Sequence, residues 1–146
     1  MKIELRKKLR GNILDIGGGG EGVIGRIYGK QVTAIDQSRE ELEGIPGDMK
    51  KLVMDAEKLE FSEETFDQVT FFYSLMYMGR ETQEKALREA ARVLKKGGGL
   101  WIWDAEISSA FPEPFLTDLE IDADGEMISV TYGVLRENTE QSAKSV

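Results

Sequence analysis

Three carboxylates, Asp15, Asp36 and Asp55, and a run of four glycines, Gly17 to Gly20, are the residues here whose type and spacing point to chemistry. Gly17-x-Gly19-x-x-Gly22 has the spacing of a dinucleotide fingerprint, although a flexible surface loop can show the same pattern. Glycine at a turn lets the backbone bend sharply and come close to a ligand. Asp36, about twenty residues further on, can accept from two vicinal ribose hydroxyls; its plainer role is a turn or helix N-cap. Asp15 narrows the ligand. A pyrophosphate would be repelled by a carboxylate beside the glycine turn, whereas an ammonium or sulfonium would be attracted. Its plainer role, ordering the glycine loop through backbone N–H groups, is compatible with that one.

The elements that must position these residues are short and alternate. Asn12-Ile13-Leu14-Asp15-Ile16 is an apolar run that reads as a buried strand. A helix over 22–28, stopped by Gly29, leads to a second strand, Gln31 to Ile35, with Asp36 at its end. Ser38 can cap a helix over 39–43. Lys51 to Met54 and Gln68 to Tyr73 read as strands three and four, with a turn or short helix at 62–65. Residues 81–95 carry Leu87, Ala90, Ala91 and Leu94 on one apolar face. Lys95, Lys96 and Gly97 look like a cationic helix end with a left-handed cap. Leu100 to Trp103 is strand five. Strands alternating with helices predict an α/β fold, Rossmann-like and doubly wound, with a mainly parallel sheet. Beyond residue 106 the period changes to two, which predicts a C-terminal antiparallel hairpin over 115–135. Glu120-x-Asp122-x-Asp124-Gly125 resembles the start of a calcium loop, but Thr131 at the twelfth position cannot close it. It reads as the hairpin turn, and no metal is expected.

The totals bound the function. With 146 residues, 40% apolar and 32% charged, the chain fits one soluble domain, 1–146, whose core is 12–106. A net charge of −8 argues against a nucleic-acid partner. With no cysteine and no histidine, thiol nucleophiles, disulfides, and the commonest general base and metal ligand are excluded. No stretch is apolar enough to span a membrane, and Met1 to Lys8 lacks the apolar core of a signal peptide. A cytoplasmic location is expected.

Several stretches together resemble the Rossmann-fold S-adenosylmethionine-dependent methyltransferases of the UbiE-like, methyltransferase domain 11 kind. They are Ile13-Leu14-Asp15-Ile16-Gly17-Gly18-Gly19, Val32-Thr33-Ala34-Ile35-Asp36, Met54-Asp55-Ala56, Phe66-Asp67-Gln68-Val69 and Ala91-Arg92-Val93-Leu94-Lys95-Lys96-Gly97-Gly98. Their order and spacing follow the family over residues 12–104. The resemblance implies S-adenosylmethionine as cofactor and a small-molecule methyl acceptor that the sequence does not identify. It implies that Gly17, Gly18 and Gly19 admit the methionine and ribose parts, and that Asp15 faces the methionine amino group. Asp36 would hold the ribose hydroxyls, with Gln37 beside the adenine. Asp55 would accept from the adenine amine and Ala56 would donate from its backbone. Phe72, Tyr73 and Ser74 would line the methionine end. Glu21 stands where the family often has glycine, leaving Gly22 as the small residue.

Two other readings stay open: an NAD-dependent oxidoreductase, which the glycine spacing permits, and a non-catalytic cofactor-binding module. No catalytic residue is assigned. A base, if the acceptor needs one, would be a carboxylate or a tyrosine, with Asp104 and Glu106 as candidates whose plainer role is structural. In the Tyr73 to Met78 cluster core packing is expected for most residues; Tyr73 and Tyr77 are the two that could orient an acceptor. Trp101 and Trp103 are expected in the core. Few residues precede strand one, and the chain stops in what reads as a helix start, so a truncated or minimal form is expected. Segment 111–135, or a second subunit in a homodimer, would complete the acceptor side.

Overall fold

The computed structural model describes residues 9–104, 115–121 and 129–135. The chain runs β1 (Ile13–Ile16), α1 (Val23–Tyr28), β2 (Val32–Asp36), α2 (Arg39–Glu43), β3 (Lys50–Val53), β4 (Phe66–Phe72), α3 (Arg80–Val93), β5 (Leu94–Asp104), β6 (Phe115–Ile121) and β7 (Ser129–Leu135). The strands form one sheet in the order β3-β2-β1-β4-β5-β7-β6. The first five pair in parallel. β7 runs antiparallel to both β5 and β6. The segment read as a hairpin thus supplies β6 and β7, while the turn expected at 122–128 lies outside the described residues, as do Glu106, residues 111–114 and residues 1–8.

Burial on both faces explains the apolar β1. Leu14 and Ile16 join Val69, Phe71 and the inner face of α3 (Ala86, Leu87, Ala90, Val93). Ile13 belongs to the opposite layer, with Ile24 of α1, Val32 and Ala34 of β2, and Leu42 of α2. Successive strand residues point to opposite faces, so a strand sandwiched between helical layers is apolar at nearly every position. Asp15 interrupts that pattern, which marks it as a residue kept for another reason.

The chain moves from β1 outward to β2 and β3, then crosses to β4 on the other side of β1. The crevice between β1 and β4, at the carboxyl ends of the strands, is where open α/β sheets bind ligands.

One expectation is corrected. Lys95, Lys96 and Gly97 do not form a helix end. α3 stops at Val93, Leu94 is already extended, and strand five begins there rather than at Leu100. The last helix carbonyls are satisfied from outside: Glu64 N–H donates to Arg92 O and Thr65 N–H to Val93 O. With those acceptors filled, no left-handed cap is required. Gly97, at φ +79°, instead sits in an irregular stretch where the register jumps from Phe66–Leu94 to Gln68–Gly99.

Candidate functional site

A cavity of about 760 Å³ opens at this crevice. The residues to which the resemblance gives a place around the cofactor line it: Asp15, Gly17, Gly18, Gly19, Asp36, Gln37, Asp55, Ala56, Phe72, Tyr73 and Ser74. They come from the carboxyl ends of four neighbouring strands.

The floor is the glycine turn. Gly17 N–H and Gly18 N–H both donate to Ile35 O, at 2.9 Å, which ties the turn to β2. Gly17 has φ +72°, a conformation that favours glycine, and a methyl group there would lie 2.5 Å from Ser74 Cβ. A methyl on Gly18 would stand 2.7 Å from Asp15 Oδ2. The bare backbone is therefore what allows a carboxylate and a ligand to approach the same turn.

Asp15 is 2% exposed. Thr70 Oγ1 donates to its Oδ1 at 2.7 Å. Burial pushes the carboxyl up to about 7; the Thr70 bond opposes that rise, and the neighbouring Asp36 charge adds to it. Asp36 has both the plain role and room for the other. Its Oδ2 accepts from Gly19 N–H at 3.1 Å and its Oδ1 from Ser38 N–H at 3.0 Å. The helix N-cap is Ser38, which accepts from Glu41 N–H. Each carboxylate oxygen has a second lone pair for a further donor. Asp55 Oδ1 accepts from Glu57 N–H, a local turn bond.

The loop carrying Asp55 and Ala56 is held from α3. Glu89 accepts from Leu59 N–H, and the Arg92 guanidinium donates to Leu59 O and Phe61 O as well as to Glu89. Sequence reasoning missed this anchor, and it missed Thr70; neither falls in a motif.

On the far side the cavity is walled by Phe72, Tyr73, Ser74, Tyr77, Met78 and Thr82. Tyr73 has φ +53°, unusual for a residue with a side chain. Its N–H donates to Trp103 O at 2.7 Å, which fixes the bend after β4. Ser74 Oγ donates to Ile16 O and so closes the crevice against β1. Leu75 is fully buried, in keeping with the core expectation, but Tyr77 is 82% exposed at the cavity rim. Trp103 packs in the core; Trp101 is only partly buried and donates to Gln68 Oε1 at 2.7 Å. Asp104 ends β5.

The charge of the lining decides what fits. Asp15, Glu21, Asp36, Glu41 and Asp55 supply five carboxylates, and no lysine or arginine lines the cavity among the described residues. The fold and this site define an α/β domain whose acidic cavity suits a cationic group better than a phosphate-bearing one. Residues 14–102, more than half of the chain, match the Methyltransf_11 family, described as a methyltransferase domain, and the chain belongs to that family. S-adenosylmethionine is the cofactor this membership assigns. An adenosyl group joined to an amino acid and a sulfonium, without phosphate, suits the acidic lining.

The chain is 32% identical over 114 residues to a sterol 4-C-methyltransferase of Caenorhabditis elegans, covering 70% of this chain and 33% of that protein. It is 35% identical over 115 residues to the ubiquinone/menaquinone biosynthesis C-methyltransferase UbiE of Azotobacter vinelandii, covering 68% and 45%. The chain thus spans a third to a half of the length of these curated relatives. Among solved structures, PH0226 of Pyrococcus horikoshii superimposes with a TM-score of 0.72 at 20% identity, over 90% of this chain and 84% of that one, which shows the shared fold. No described helix is long and apolar enough to cross a membrane.

Proposed function

We propose that this domain transfers a methyl group from S-adenosylmethionine to a small-molecule acceptor. The observation that carries the reading is the cavity's five carboxylates around a glycine turn, with no cation among the described lining residues. The same observation disfavours the oxidoreductase reading, because a dinucleotide would bring its pyrophosphate against Asp15.

When bound, the cofactor supplies a methyl group on a sulfonium, displaced in line with a neutral thioether leaving. The chain's residues supply placement. Asp15 Oδ2 takes the amino group, Asp36 the ribose hydroxyls, with Gln37 alongside, and Asp55 and Ala56 the adenine edge. Gly17 to Gly19 admit the backbone-close part of the ligand, and Tyr73 borders the reacting end. Holding two reactants in line accounts for much of such a rate enhancement, several powers of ten. An acid to protonate the leaving group is not needed, because the thioether leaves neutral. The uncharged wall formed by Phe72, Tyr73, Ser74, Tyr77, Met78 and Thr82 is the acceptor side, to which residues 111–135 or a second copy would contribute.

Calorimetric titration with S-adenosylhomocysteine and with NAD tests this. The expected result is micromolar binding of the first and none of the second; the reverse overturns the reading.

A further inference from the structure

The proposed function gives Asp15 a ligand but leaves open how a carboxylate is kept charged in a layer of buried apolar side chains. The sheet register answers it. Asp15 of β1 and Thr70 of β4 are direct partners across the parallel pair. Val69 and Phe71 point into the α3 layer with Leu14 and Ile16. Alternation therefore turns both Asp15 and Thr70 to the other face, at the carboxyl end of the sheet, where their side chains meet. Thr70 is fully buried and its hydroxyl donates to Asp15 Oδ1 at 2.7 Å. Oδ2 is left next to Gly18, on the side of the glycine turn.

We infer that Thr70 is a positioning residue for cofactor capture, its hydroxyl holding the Asp15 side chain in the ionised form and orientation that present Oδ2 to the cofactor's ammonium group. This rests on the methyltransferase reading of the cavity and adds to it a residue outside the glycine turn. A hydroxyl that donates to a carboxylate stabilises the charged state. The charge that acts on Asp15, that of Asp36 at the end of β2, opposes that state, and the other charged residues lining the cavity, Glu21, Glu41 and Asp55, are acids too. Neither the α1 face nor β4 brings a cation to it among the described lining residues. Thr70 is thus the one described donor to Asp15 that works against burial, and loading of the cofactor is tied to loss of the Asp15 proton.

The test is S-adenosylhomocysteine affinity by calorimetry from pH 5.5 to 8.5 in the wild type, Thr70→Ser and Thr70→Val. In the wild type affinity rises with pH and levels off above about 7.5. Thr70→Ser keeps the donor and follows the wild type. Thr70→Val, nearly the same size but without a hydroxyl, binds about eightfold more weakly at pH 6.5, and its profile moves up by about one pH unit, the expected cost of one hydrogen bond to a charged group. At pH 8.5 it recovers most of the affinity. If Thr70→Val does not fold, Thr70→Ala carries the same comparison. An equal loss at every pH, which a packing role would give, or no loss at all, overturns the inference while leaving the cofactor assignment standing. A wild type that binds none at any pH removes both.

Discussion

Asp15→Asn separates what the fold wants from what the ligand wants. The buried carboxyl titrates near 7 rather than 3.8. The sign follows directly. Between these values the folded chain binds the proton and the unfolded chain does not, so stability falls as pH rises from about 4 to about 7 and is flat above. At about 1.4 kcal/mol per pH unit, the gap amounts to about 4 kcal/mol, present as stability below pH 4 and gone above pH 7. Asparagine has nearly the same shape, and its Oδ1 can still accept from Thr70, but it carries no charge to bury. An amide nitrogen in place of Oδ2, beside Gly18, gives back about 1 kcal/mol. Asp15→Asn is therefore expected to be about 3 kcal/mol more stable than the wild type at pH 8.

Urea denaturation of both proteins at pH 5 and pH 8 measures this. The gap between them should widen by about 2–3 kcal/mol from the lower to the higher pH, since at pH 5 the wild type has lost only part of the contribution. In parallel, Asp15→Asn should bind S-adenosylhomocysteine at least tenfold more weakly at pH 8, because a charged acceptor for the ammonium group is gone. A stability gap that is the same at both pH values refutes the account of Asp15 as a charge held against the preference of the fold.

Other changes probe the remaining parts of the site. Gly18→Ala puts a methyl 2.7 Å from Asp15 Oδ2 and 3.0 Å from Ala34 Cβ; a destabilisation of about 1–3 kcal/mol and loss of measurable S-adenosylhomocysteine binding are expected, by thermal melting and calorimetry, and unchanged affinity would show that no ligand comes near this turn. Asp36→Ala frees Gly19 N–H and Ser38 N–H and should weaken S-adenosylhomocysteine binding about thirtyfold, at about 2 kcal/mol for charge-assisted bonds, with a smaller loss for the 2′-deoxy analogue; equal losses for both would remove the ribose role. Arg92→Ala leaves Leu59 O and Phe61 O without their donor and should cost about 2 kcal/mol in urea unfolding, whereas a cost under about 0.5 kcal/mol would mean the loop beneath Asp55 is held by something else.

How far the sequence reveals the molecule depends on how local each interaction is. β1, the glycine turn and the acids at the ends of β2 and β3 are legible because each is a short run with its own pattern, an apolar strand followed by glycine or aspartate. Ser38 is legible as a helix cap for the same reason, since its acceptor role toward Glu41 spans three residues. Lys95 to Gly98 misled because the groups that end α3, the N–H donors of Glu64 and Thr65, lie about thirty positions away, while the local pattern of lysines and glycine imitates a cap. Thr70 was hidden for the same cause. On its own strand it is one of three polar residues, with Asp67 and Gln68, and only the pairing of β4 with β1, across 55 positions, gives it a carboxylate to serve. The glycine turn thus indicates where a ligand lies, but whether Asp15 is charged when the ligand arrives is decided by a neighbouring strand.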